Sequence, residues 1–159
     1  MRRVDIYLET STRYLGKKER YCGYVMSTEL KNGNPYTVED FWPSSGTWNH
    51  TMLETLNRAL SHLAGGLEIH IHSQNDYIMD MAENNLEEWK AAGFKTGKGM
   101  PIKDADLWEE YAGRTGGHLI IYERGLHEYS NWMIGTMARK MVENPVDKSD
   151  HTPRNPHKY

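Results

Sequence analysis

The amino-acid sequence predicts an α/β domain with one mixed sheet flanked by helices, and two patterns of apolar residues carry that expectation. In the N-terminal part, alternating apolar and polar residues form strand patterns separated by turn signals, which implies hairpin pairing. Farther on, strand patterns alternate with helical ones, which implies parallel strands joined through helices. A chain of 159 residues suits one domain with one core.

The elements follow in order. Val4, Ile6 and Leu8 alternate with Asp5, Tyr7 and Glu9, so residues 3–9 predict a first strand with two distinct faces. A polar loop over 10–20 carries Arg13, Lys17, Lys18 and Arg20, and 21–26 predict a second strand. Asn32-Gly33 and Asn34-Pro35 signal a turn, after which 36–42 predict a third strand or an extended edge. Met52, Leu53, Leu56, Ala59, Leu60 and Leu63 recur at helical spacing over 49–64, and Gly65-Gly66 stop that helix. A fourth strand over 67–74 sets Leu67, Ile69 and Ile71 on one face and Glu68, His70 and His72 on the other. One helix is expected over 76–92, stopped by Gly93, then a basic loop to Lys103. Asp104-Ala105-Asp106 is placed to cap a short helix over 107–113. A fifth strand over 118–124 and a helix over 129–141, with Trp132 in the core, complete the pattern. The domain is expected over 1–142. Residues 143–159, with three prolines, predict an extended polar tail.

Bulk properties narrow the function. A formal net charge of −3 provides no global basic field, so any nucleic-acid binding requires a local patch. No apolar run approaches the length of a membrane span, and no membrane association is expected. The single Cys22 cannot form an internal disulfide, and no signal-peptide pattern precedes the first strand, so a cytoplasmic setting is expected. Cys22 has no sequence-adjacent base, which argues against a nucleophilic role.

Several strings carry more than pattern. They are Trp89-Lys90, Gly93-Phe94-Lys95, and the run Lys98-Gly99-Met100-Pro101-Ile102-Lys103-Asp104-Ala105-Asp106-Leu107-Trp108-Glu109-Glu110, with Ser73-Gln74, Glu9-Thr10-Ser11 and Gly23-Tyr24. Over residues 3–140 the chain resembles the ribonuclease HI-like family, nucleases that cut the RNA strand of RNA–DNA hybrids. The resemblance implies a ribonuclease H-like mixed five-stranded sheet flanked by helices. It also implies a site in which four carboxylates hold two divalent cations, one readying a water and the other stabilising the leaving oxygen.

The matching positions depart from that pattern. The first holds Glu9 where the family has Asp. The second falls on Met52; Glu54 is near, but two helical positions turn it by about 200°. The third holds His72 where the family has Asp before Ser-Gln. The fourth, matched from Asn131, falls near Gly135, with no acid between Trp132 and Met137. The family's glycine-rich turn is replaced by the bulkier, more basic stretch from Thr12 to Arg20. Glu9, His72 and Glu54 are therefore the candidate catalytic residues, and ordinary two-magnesium activity is not expected.

Other ligands and partners stay open. Glu9, His70 and His72, with His127 or Glu128, offer nitrogen and oxygen donors suited to a transition metal, while magnesium or manganese belongs to an active enzyme. The resemblance implies backbone contacts from Lys90, Lys95, Lys98 and Lys103, with Trp89 and Phe94 interleaved, and from Asn49 and Gln74. The first functional expectation is thus binding of RNA–DNA hybrid or duplex with a degenerate catalytic site. Two alternatives are an active hybrid ribonuclease with a non-standard metal site, and a protein-interaction module using Trp42, Trp48 and Tyr129.

Overall fold

The computed structural model describes residues 1–144. Three strands open the chain: β1 (Arg2–Thr10), β2 (Arg20–Glu29) and β3 (Pro35–Ser44). Then come α1 (Trp48–Leu60), β4 (Leu67–Ser73), α2 (Asp76–Asn84), α3 (Leu86–Ala91), α4 (Ala105–Thr115), β5 (Leu119–Arg124) and α5 (Ser130–Glu143). The strands form one sheet in the order β3-β2-β1-β4-β5. The β1–β2 and β2–β3 pairs are antiparallel; β1–β4 and β4–β5 are parallel. The mixed five-stranded sheet expected from the resemblance is therefore the observed one.

Strand alternation divides the core. Ile6, Leu8, Ile69 and Ile71 point to one side, where they meet Leu53 and Leu56 of α1, Ile78 and Met79 of α2, and Trp108 and Tyr111 of α4. Tyr7, Val25 and Phe41 point to the other and meet Met133 and Met137 of α5. Gly23 lets β2 approach β3 closely, since a Cβ there would lie 2.2 Å from a Phe41 ring carbon and 2.6 Å from the Asp40 carbonyl oxygen.

The helix starts are set by capping. Thr47 accepts the His50 N–H on its hydroxyl and starts α1; Asn75 accepts the Ile78 N–H on its side-chain oxygen and starts α2. Asn75 also donates to Asn49 Oδ1 at 2.9 Å, tying the first turn of α1 to the end of β4.

Four expectations need correction. The helix expected over 76–92 is two, broken at Asn85 (φ −116°), which ends α2 and begins α3; asparagine bonds its own backbone and interrupts helices readily. Asp104 precedes α4 but does not cap it: its φ is +56° and its carboxylate accepts from His50 at 2.8 Å instead. Trp132 is 46% exposed rather than in the core, resting its edge on Phe41. Trp42 is 4% exposed and lies under the Arg58 guanidinium, so it offers no surface to a partner. Apart from Glu143 and Asn144, the tail over 143–159 lies outside the described residues. No helix among them is long and apolar enough to cross a membrane.

Candidate functional site

The C-terminal ends of the parallel strands β1 and β4 meet the first turn of α5. Glu9, one residue before the end of β1, is 2% exposed. A carboxylate so deep requires donors, and it has them. Gln74, just past β4, donates its amide to both oxygens at 3.1 and 2.9 Å. Ser130, the first residue of α5, donates its hydroxyl to Oε2 at 2.7 Å. His127 Nε2 lies 3.2 Å from the same oxygen.

The neighbours fix the tautomer of His127. The Tyr129 N–H donates to His127 Nδ1 at 3.2 Å, so that nitrogen carries no proton. Nε2 is then the protonated one, shared between Glu9 and the Leu8 carbonyl oxygen at 3.0 Å. Ser130 accepts the His127 N–H on its oxygen, so the turn before α5 is folded onto the Glu9 carboxylate from two directions.

His72 lies on the same face of the sheet but engages a different partner. Its Nε2 donates to Asp5 Oδ1 at 2.8 Å, and its ring stacks on Tyr7 with centroids 4.3 Å apart. Arg3 donates to both Asp5 oxygens, at 3.1 and 3.0 Å. Burial pushes the Asp5 carboxyl up, but the hydrogen bonds from Arg3 and His72 prevail and hold it below its ordinary value. Tyr7 donates its hydroxyl to Glu128 at 2.6 Å, and burial together with that carboxylate drives the phenol far above its usual range. His70 is held through Nε2, 2.7 Å from Glu68, whereas its buried Nδ1 has no hydrogen-bond partner and lies 3.5 Å from Glu123. Each candidate ligand is thus paired with a protein group. Among the described residues no three His, Cys, Asp or Glu side chains converge as metal ligands would.

The remaining candidates lie elsewhere. Met52 is buried in the core beneath the sheet. Glu54 lines a groove of about 690 Å³ with Lys17, Thr47, His50, Lys103 and Asp104, its carboxylate 3.7 Å from His50 Nε2. Lys90, Lys95, Lys98 and Lys103 are all exposed, Lys90 pairing with Glu87 at 3.3 Å. Trp89 and Phe94 pack against the core, Trp89 on Trp108 at 5.1 Å. They brace the lysine-bearing segment from below. Phe94 adopts φ +60° after Gly93 at +66°, which turns the chain sharply out of α3. Asn49 is held by Asn75, and Gln74 by Glu9, with Arg13 3.5 Å from the Gln74 side-chain oxygen.

Matching from Asn131 pointed to Gly135, which is exposed; the α5 residue that faces Glu9 is Ser130. No pattern in the sequence marks that pairing: Tyr129 rather than Ser130 holds the N-cap position of α5, and the two partners lie 121 residues apart. Cys22 is fully buried and its thiol is pushed up to about 12 by that burial, in keeping with an inert role.

No family model matches the chain. Curated relatives do. One is a Ribonuclease H of Chromobacterium violaceum, 30% identical over 112 residues, covering 67% of this chain and 76% of that protein. Another is a Ribonuclease H of Herminiimonas arsenicoxydans, 33% identical over 72 residues, covering 45% of this chain but only 49% of its own length. Among solved structures, LC9-RNase H1, described as a type 1 RNase H with the type 2 active-site motif, superposes with a TM-score of 0.70 at 16% identity. That match covers 99% of this chain and 80% of the other, and it carries the fold.

Proposed function

The chain belongs to the ribonuclease H family, and we propose that it is a nucleic-acid-binding member, for RNA–DNA hybrid or duplex, whose two-metal catalytic site is degenerate. The observation that carries this reading is the state of Glu9. Its carboxylate accepts from Gln74 and Ser130 and lies beside His127. Magnesium binds through oxygen ligands and keeps a near-octahedral shell. Here the acid of β1 is hydrogen-bonded by the protein, the α5 residue bonding it is a hydroxyl, the helix position is Met52, and His72 is spent on Asp5. This donor set does not fit a pair of hard divalent cations.

Support for binding comes from Lys95, Lys98 and Lys103, exposed on one segment of a chain that is acidic in total. Lysines of this kind neutralise phosphates and position a nucleic acid without reading its sequence. A cytoplasmic setting belongs to the same reading, supported by the single buried thiol of Cys22. The second reading, a protein-interaction module on an inactive scaffold, draws on Trp132, whose ring is half exposed at the start of α5.

The test uses a labelled RNA–DNA hybrid with magnesium and then manganese. Salt-sensitive binding without cleavage is the expected result. Cleavage that disappears in Glu9→Ala overturns the degenerate site, and an absence of binding to hybrid and to duplex DNA overturns the nucleic-acid reading.

A further inference from the structure

The segment joining β1 to β2 is cationic and closely pinned. Between Ser11 and Arg20 it carries Arg13, Lys17, Lys18 and Arg20 against Glu19 alone. Arg13, Lys17 and Lys18 are exposed, and so are Tyr14 and Leu15. Arg20 is fully buried, and no carboxylate among the described residues pairs with it. Its guanidinium donates instead to the carbonyl oxygens of Thr12 at 3.0 Å, Gly16 at 2.8 Å and Gly46 at 3.2 Å. The Lys18 N–H reaches the Gly46 carbonyl and the Trp48 N–H reaches the Leu15 carbonyl.

A guanidinium kept in the interior without a counterion is costly, and three carbonyl dipoles offset part of that cost. The bonds hold the segment against the loop that precedes α1, with its other cations turned outward. Lys17 stands on the same groove as Lys103, the last lysine of the basic segment before α4. Two acids also line that groove, but Asp104 and Glu54 flank His50 at 2.8 and 3.7 Å. Lys17 and Lys103 therefore share the groove with two acids that are already hydrogen-bonded to or beside His50. At its other end the segment joins the Glu9 network, through Arg13 and Gln74.

We propose that the β1–β2 segment is a second backbone-binding arm, in which Arg13, Lys17 and Lys18 contact phosphates of the nucleic acid that Lys95, Lys98 and Lys103 engage from the segment before α4. Tyr14, 60% exposed beside them, supplies a ring face for a sugar or base. The proposal rests on the nucleic-acid reading above and adds to it a place on the molecule and a number of charges. Each lysine released from a phosphate contact lowers the slope of log K against log salt by about one unit.

Binding of a labelled RNA–DNA hybrid is measured across a salt series for the unaltered protein, the pair Lys17→Gln with Lys18→Gln, and the pair Lys95→Gln with Lys98→Gln. All four residues are exposed, so thermal unfolding is expected to stay unchanged. The arm is supported if its own pair weakens binding at low salt by about tenfold or more and lowers the slope by about two units. It is overturned if only the Lys95/Lys98 pair has that effect, which leaves the nucleic-acid reading intact. Binding that neither pair alters, or no binding at all, overturns both. The reversed-charge pair Lys17→Glu with Lys18→Glu must weaken binding more than the neutral pair; equal affinity also counts against the arm.

Discussion

Ser130, the first residue of α5, donates its hydroxyl to Glu9 of β1 at 2.7 Å across 121 positions of sequence. That bond, with those from Gln74 and the nearby His127, makes the most buried acid of the candidate site part of the fold's internal bonding.

Replacing Glu9 tests that role directly. Glu9→Ala leaves the half-buried Gln74 amide and the buried Ser130 hydroxyl without their acceptor, while the His127 N–H keeps the Leu8 carbonyl oxygen. A loss of roughly 3 kcal/mol or more in unfolding free energy is expected from urea denaturation. Added magnesium is expected to leave the unfolding midpoint of the unaltered protein in place, because a ligand stabilises only what it binds. A midpoint that climbs with millimolar magnesium contradicts the pairing described for Glu9.

Asp5 sets an acid limit. Its folded pKa lies below the ordinary value of 3.8 because Arg3 and His72 bond its carboxylate despite burial. A depressed carboxyl contributes stability that is present above its unfolded pKa and is lost as pH falls through the folded one. Asp5→Asn is therefore expected to be destabilised relative to the unaltered protein at pH 7. The difference shrinks as pH drops below about 4. Paired urea titrations at the two pH values check it, and a gap that widens in acid has the wrong sign.

Gly23→Ala is expected to be among the most damaging single-methyl additions in the sheet. The new carbon meets the Phe41 ring at 2.2 Å and the Asp40 carbonyl oxygen at 2.6 Å, and the second of these is backbone. Overpacking of this kind costs about 1–3 kcal/mol and more when main chain must move. Chemical denaturation measures it, and an unchanged midpoint refutes the contact.

Cys22 is expected to resist thiol reagents in the native state. It is fully buried with its thiol pushed up to about 12, so modification at pH 8 should wait on opening of the structure. Labelling that proceeds equally fast with and without denaturant would show the thiol to be accessible.

Much of the architecture was legible because burial has a period. The alternation of Val4, Ile6 and Leu8 and of Leu67, Ile69 and Ile71 identified β1 and β4, and the helical recurrence from Met52 to Leu63 identified α1. What periodicity does not record is which neighbour a polar side chain finds. Asp104 stands where a cap is expected, yet it bonds His50, which is adjacent only after α1 and α4 pack. Trp132 has the composition of a core residue, but the face of α5 that carries it looks outward beyond Phe41. Ser130 was hidden for another reason. Its partner lies at the opposite end of the chain, and no local residue pattern records such a pairing.

The bond between the first strand and the last helix also limits the routes open to mutation. Ser130→Asp would set a second carboxylate against Glu9 with nothing positive between them except the edge of His127. Each isolated step toward a cation cage would cost folding free energy before any cation could repay it. The junction of β1 and α5 therefore behaves as a ratchet. Neutral drift can tighten it one residue at a time, whereas reversal requires several acids to arrive together.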